Sequence, residues 1–354
     1  MTLYPKLITD ALATVRYPGE NKSIIELNML QDDMRIDDKK VSFSILFPKN
    51  PDPFAKSVVK AAESAIRLEV GQDVEVEITP LFAPKKKPME QEKALPQVKH
   101  IIAVSSGKGG VGKSTVAANL AVALSGQGYK VGLLDADVFG PSIPTMFHLE
   151  DFQPMGEVVG DKQMLVPAEK YGMKIMSIGF FIKPDSAAVW RGPMASNALK
   201  QLITETMWGD LDYFILDTPP GTSDIHLTIM QTLNVSGAVI VSTPQNVALA
   251  DARKGIDMYV NDKINIPILG LVENMAWFTP AELPENKYYI FGKEGVKHLA
   301  EEMNVPLLGQ IPLVQSICES GDQGAPMATR PETMTGMAFH QLADAVVEEI
   351  SKRE

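Results

Sequence analysis

Residues 107–115 read Gly-Lys-Gly-Gly-Val-Gly-Lys-Ser-Thr, which fits G-x-x-x-x-G-K-[ST]. An apolar run, Ile101 to Ser105, precedes this stretch, and a segment with helical spacing follows it. Glycine permits the tight turns that aim backbone N–H groups inward, and the N-terminus of the next helix adds partial positive charge. Strand, loop and helix in this order therefore build a phosphate cradle. Within it Gly107, Gly109, Gly110, Val111 and Gly112 provide backbone, and Lys113 reaches the β- and γ-phosphates of ATP. Ser114 places its hydroxyl on Mg2+, and Thr115 caps the loop and contacts phosphate oxygens. A glycine-rich turn with a chance lysine is the plainer alternative, but it gives no reason for the flanking strand and helix.

A loop of this kind needs buried strands behind it. From His100 onward the runs IIAVSS, VGLLDAD, YFILDTPPG, GAVIVST, ILGLVEN and VPLLGQIP recur between helical stretches. Such runs suit strands buried on both faces, and helices crossing over a parallel sheet provide that cover. The expected fold class is α/β, a doubly wound, mostly parallel sheet of the P-loop NTPase kind. The stretch Glu332 to Lys352 reads as one closing helix. Before this domain, Tyr4 to Arg16 and Phe54 to Leu68 have helical spacing, whereas Val41, Phe43, Ile45 and Phe47, then Val74, Val76 and Ile78, alternate as half-buried strands do. A chain of 354 residues has room for two cores. The expected division is a small α+β domain over 1–80, a linker rich in Pro, Lys and Glu over 81–97, and an ATPase domain over 98–354.

Composition narrows the functional classes. No apolar stretch is long enough to span a bilayer, and polar and acidic residues interrupt positions 1–20 where a signal peptide needs an apolar centre. A cytoplasmic protein without a membrane partner is expected. The net charge of -11 repels a phosphate backbone on average, which disfavours DNA or RNA as the main partner. Cys318, the only cysteine, excludes an intrachain disulfide and any Cys-x-x-Cys motif. Placed in the helical stretch Val314 to Glu319, it reads as a small buried hydrophobe. The histidines at 100, 148, 226, 298 and 340 lack metal-ligand spacing and read as surface or packing residues.

Two acidic signals follow the loop. Asp135 and Asp137 close the run VGLLDAD, and a strand persisting through both would point their carboxylates to one side. Tyr213 to Asp217 is an apolar strand ending in an acid, a Walker B pattern. Thr218-Pro219-Pro220-Gly221 then reads as a γ-phosphate switch, with Thr222, Ser223 and Asp224 starting the next helix as caps. Lys108 is the residue an ordinary P-loop does not need; alone, it reads as a solvated surface lysine. With it, GKGGVGKST resembles the deviant Walker A signature of septum-placement, chromosome-partition, arsenite-pump and nitrogenase-reductase ATPases. That resemblance implies a homodimer in which Lys108 reaches the nucleotide of the opposite subunit, Asp137 orients the attacking water, and Asp135 supports Mg2+ through water. Charge supplied in trans raises GTPase rates by about 10³- to 10⁵-fold.

Further strings narrow the likeness. DADVFGPSIP over 135–144, WRGPM over 190–194, LDTPPGTSDIHLT over 216–228 and ENMAWF over 273–278 resemble the Mrp (ApbC-like) family of nucleotide-binding iron-sulfur carrier proteins, across residues 98–351. The resemblance implies a factor that assembles iron-sulfur clusters or transfers them to client apoproteins, with Asn274 at the adenine edge and Arg191 positioning switch elements near the dimer interface. Asn274 as a turn former and Arg191 as a surface ion-pair residue are the plainer readings. Leu3 to Pro80 resembles, more diffusely, the small domain of iron-sulfur assembly factors, although Pro51-Asp52-Pro53-Phe54 stands where that domain often has Cys-Pro. A larger departure follows ENMAWF, where TPAELPENKYYIFG replaces the family's Cys-x-x-Cys. A homodimer supplies only the two Cys318 thiols, and clusters are ordinarily held by four. The expected function therefore divides between a cluster carrier and a maturation adaptor that holds no cluster, each presenting the loop Thr279 to Tyr289 to a client. A septum- or partition-type switch is the remaining alternative, but the tail MAFHQLADAVVEEISKRE is not the basic amphipathic one such a switch needs.

Overall fold

Val41, Phe43, Ile45 and Phe47 are all buried, as period-two alternation requires of a strand with one covered face. They belong to the first of two units, Met1–Gln91 and Glu92–Glu354. This computed structural model describes residues 3–20, 22–49, 51–83, 93–182, 192–262, 264–280, 282–283 and 285–353. Arg191 and linker residues 84–92 lie outside them. The first unit runs α1 (Pro5–Leu12), β1 (Arg35–Asp37), β2 (Lys40–Phe47), α2 (Ala55–Val70) and β3 (Glu75–Phe82). β2 is central, antiparallel to β1 and parallel to β3. Ile8 and Leu12 of α1 and Val58, Ala62 and Ile66 of α2 complete a core of the unit's own. β3 continues through Pro80 into the expected linker. Proline lacks an N–H to donate, and β3 is an edge strand, where that loss is tolerated. Asp52, where a related domain often has its thiol, is buried and accepts from the Tyr17 hydroxyl (2.7 Å) and the Phe54 N–H (2.9 Å).

In the second unit the order is β4 (Val98–Ser105), α3 (Lys113–Gly126), β5 (Val131–Asp135), α4 (Ile143–Met146), β6 (Gly156–Val159), β7 (Lys162–Leu165), β8 (Ala168–Lys170) and β9 (Met173–Ser177). There follow α5 (Gly192–Thr204), β10 (Leu211–Asp217), α6 (Asp224–Thr232), β11 (Gly237–Ser242) and α7 (Asn246–Val260). The chain ends with β12 (Ile268–Phe278), α8 (Gly295–Met303), β13 (Leu307–Leu313), α9 (Gln315–Asp322) and α10 (Met334–Ser351). One sheet has the order β13-β12-β11-β4-β10-β5-β9-β8, parallel except for β8 against β9. β6 and β7 pair separately as a hairpin. The parallel sheet expected from the apolar runs is present, and β9 extends it. Met173 to Ser177 is short and carries a lysine, so no continuous apolar run marks it. Lys174 keeps its charge satisfied by donating to the carbonyls of Met207 (2.9 Å) and Trp208 (3.0 Å).

α3 is buried around its whole circumference from Val116 to Leu124, because the sheet covers one side and α10 the other. From β10 the chain crosses over β4 to reach β11, so the winding reverses about β4. The loops at the carboxyl ends of β4, β5, β10 and β12 therefore open on the edge where such sheets bind ligands. Residues 93–95 pack on this unit rather than hanging free. The Ala94 N–H donates to the Thr232 carbonyl (2.8 Å), Lys93 Nζ donates to those of Met230 (2.9 Å) and Gln231 (3.0 Å), and Leu95 is buried. Among the described residues, no helix is long and apolar enough to cross a membrane.

Candidate nucleotide site

Gly107, just past β4, lies against α7. A β-carbon there would sit 2.1 Å from the backbone carbonyl carbon of Asp251, so the approach requires glycine. The loop turns through left-handed Gly110 and Gly112, and Gly112 is the N-cap of α3, whose first residue is Lys113. From β12, Asn274 Nδ2 donates to the Val111 carbonyl at 2.8 Å. Glu273 beside it, 1% exposed, accepts from the Val296 N–H (2.7 Å) and from Gln310 Nε2 (2.8 Å), which ties β12 to α8 and β13 and fixes Asn274 in place.

Lys113 is buried, and its ammonium pairs with the Asp217 carboxylate. The same nitrogen lies 3.2 Å from Ser114 Oγ and 3.7 Å from Asp137 Oδ2. Four residues expected from sequence thus meet at the floor of the loop. Asp217 is fully buried, and its Oδ2 has no hydrogen-bond partner. Asp135 is fully buried too and accepts from the N–H groups of Asp137 (3.1 Å) and Ile143 (3.2 Å) and from Ser177 Oγ (2.9 Å). Burial first, then the charge of Asp217, pushes Asp135 up to about 7. Burial raises Asp137 as well, against the pull of Lys113. β5 ends at Asp135, and the Asp137 N–H folds back onto it. A turn therefore places the second acid, not the strand alternation expected from the spacing.

A cavity of about 510 Å³ opens beside the loop, within the range of small-molecule sites. Gly112, Thr115, Asn274, Pro312, Val314 and Cys318 line it. Cys318 is exposed, with Sγ 3.7 Å from Asp322 Oδ2, which corrects the expectation of a buried hydrophobe. The reason is that α9 is a surface helix whose one buried residue is Ser320. Asn119, which no sequence motif marks, also reaches this cavity. Its Nδ2 donates to the Thr115 carbonyl and its Oδ1 accepts from the Ala328 N–H, both at 2.8 Å. The one available signal was a polar residue inside the otherwise apolar run of α3.

The ammonium of Lys108 makes no hydrogen bond or ion pair among the described residues, and the side chain is partly exposed. Ser223 is the N-cap of α6, as expected, and His226 packs beneath the switch fully buried. Where the related Cys-x-x-Cys would stand, β12 runs on to Phe278, which exchanges two 2.8 Å backbone hydrogen bonds with Tyr288. Lys287 Nζ sits 4.0 Å above the Trp277 ring in the same loop.

Comparison with known proteins agrees with this arrangement. Residues 97–347 match the family model described as NUBPL iron-transfer P-loop NTPase, and residues 6–78 match the one described as iron-sulfur cluster assembly protein. A Synechocystis relative named iron-sulfur cluster carrier protein is 42% identical over 351 residues, covering 98% of each chain. The solved nucleotide-binding protein in complex with ADP from Archaeoglobus fulgidus is 36% identical with a TM-score of 0.58, covering 70% of this chain and 94% of that one. The cell division ATPase MinD of Pyrococcus furiosus is 25% identical with a TM-score of 0.51, covering 72% and 99%. The P-loop floor, the parallel sheet behind it and a family match across most of its length place this chain in the family of NUBPL iron-transfer P-loop NTPases.

Proposed function

We propose that the chain hydrolyses ATP with Mg2+ and, as a cytoplasmic homodimer, uses that cycle to assemble iron-sulfur clusters or deliver them to client apoproteins. The observation that carries this reading is the meeting of Lys113, Asp137 and Asp217 beneath the glycine loop. Phosphates arriving in the cradle of Gly107 to Thr115 draw Lys113 from Asp217, since a polyphosphate offers it more negative charge. In this reading Asp137, 3.7 Å from Lys113, orients the attacking water.

The oxygen donors fit a magnesium ion: the Ser114 hydroxyl, the unpartnered Oδ2 of Asp217, and Asp135 through water. When bound, Mg2+ neutralises charge on the β- and γ-phosphates. Lys108, unpaired and partly exposed, fits a contact to the nucleotide of the second copy. Asn274 keeps the loop in register through Nδ2, and its Oδ1 is left for the adenine.

The cluster is cargo in this reading. Each chain offers one thiol, exposed Cys318, which favours an adaptor or a brief carrier over a store. The test is anaerobic incubation with iron, sulfide and an apoprotein client, with and without ATP, followed by iron analysis and client activity. Faster client maturation with ATP and little retained iron is the expected result. Client maturation indifferent to the chain and to ATP would overturn the proposal.

A further inference from the structure

His226 is 0% exposed and stands three residues into α6, directly behind the switch Thr218-Pro219-Pro220-Gly221. A neutral imidazole has one acceptor and one donor nitrogen to satisfy. Nδ1 accepts from the Ser223 N–H at 3.3 Å, and the His226 N–H returns to the Ser223 carbonyl at 3.0 Å. Because Nδ1 accepts, the proton sits on Nε2, and Nε2 is buried without a hydrogen-bond partner. The Pro219 carbonyl acts on the ring without completing a bond to that nitrogen. Burial pushes the imidazole down to about 4, and the charge of Lys113 acts the same way, so the ring is neutral near pH 7.

Backbone hydrogen bonds hold the switch at both ends. The N–H and hydroxyl of Thr218 both donate to the Val104 carbonyl, at 3.1 and 3.0 Å, and the Gly221 N–H donates to the Ser106 carbonyl at 2.9 Å. Pro219 and Pro220 have no N–H, so a carbonyl is the only backbone handle between those ends. An unpaired buried donor is costly, and with the Pro219 carbonyl already bearing on the ring a small shift of the switch would complete the bond.

We propose that His226 is a positioning residue for hydrolysis, a latch whose Nδ1 keeps the Ser223 end of the switch and whose Nε2–H takes the Pro219 carbonyl when the loop closes on the γ-phosphate. This rests on the ATP-hydrolysing reading above. A phosphate that attracts the Gly221 N–H away from Ser106 shifts the two prolines, and the latch fixes where they stop. His226 touches no reacting atom; it acts through the switch.

The test uses the full chain with His226→Asn, which keeps an acceptor near Nδ1 but has no donor at the Nε2 position, and His226→Gln, which restores a donor there. The latch predicts that His226→Asn leaves the KM for ATP and the affinity for ADP within about twofold and lowers kcat about 10-fold, the size of one buried hydrogen bond made only on the way to the transition state. His226→Gln recovers part of that loss. In hydrogen exchange, Mg2+ with a non-hydrolysable ATP analogue protects the Gly221 to Ser223 amides in the unaltered chain and fails to do so in His226→Asn. An unchanged kcat, a change confined to KM, or equal protection in both chains would overturn the latch alone. Absence of turnover in the unaltered chain would overturn the hydrolytic reading and this role with it.

Discussion

The Nδ2 amide of Asn274 donates to the carbonyl of Val111 at 2.8 Å, joining β12 to the middle of the phosphate loop. Val111 is thereby tied to β12 between the two left-handed glycines Gly110 and Gly112. Asn274→Ala removes the pin and one wall of the cavity. Nucleotide dissociation constants measured by calorimetry should rise about 10-fold, as expected for a lost buried hydrogen bond. An unchanged affinity would mean that the loop holds its shape without β12.

Lys108 is predicted to act in hydrolysis and not in binding. Lys108→Ala should keep ADP and ATP affinity within about twofold while lowering turnover about 10³-fold or more, by analogy with charges supplied in trans. Turnover per chain should also rise with protein concentration until dimers saturate. A variant with full activity would remove the trans-lysine role.

Asp135 makes stability depend on pH in a defined sense. Its carboxyl is raised from 3.8 to about 7 in the folded chain, so between those values the native state binds more protons than the unfolded one. Stability from this group is therefore present at low pH and declines as pH rises through about 7. His226, lowered from 6.5 to about 4, works oppositely over its own window, so the readout is a difference between variants. Urea unfolding should show Asp135→Asn gaining on the unaltered chain as pH rises from about 4 to about 7, then holding a constant difference. Parallel curves across that window would show that Asp135 titrates normally.

Cys318 offers a reporter of occupancy. Its thiol is exposed and lines the cavity beside Gly112 and Thr115, so bound nucleotide should shield it. Alkylation by iodoacetamide should slow several-fold with saturating ADP and Mg2+. A rate indifferent to nucleotide would place the base and ribose elsewhere.

Much of this was legible in the chain. Runs such as Ile101 to Ser105 and Tyr213 to Asp217 signal doubly covered strands because burial on both faces forbids alternation, and the loop between strand and helix signals its own ligand. What stayed hidden depends on tertiary approach. Nothing local says that Gly107 must admit α7, that Asn119 bridges Thr115 and Ala328, or that a turn, not a strand, carries Asp137 back toward Lys113. Cys318 misled because a lone cysteine is usually buried, whereas a short amphipathic surface helix can expose it. In the sequence His226 is a surface or packing residue like the other histidines, and only its orphaned Nε2 against a proline-rich switch distinguishes it.

The role proposed for Lys113, gathered with Asp137 and Asp217, is ATP hydrolysis. The direct measurement is phosphate release by the purified chain with Mg2+ and ATP, run beside Lys113→Ala. Saturable, Mg2+-dependent release that disappears in Lys113→Ala is the predicted result. Equal release by the two chains, or none by either, would contradict it.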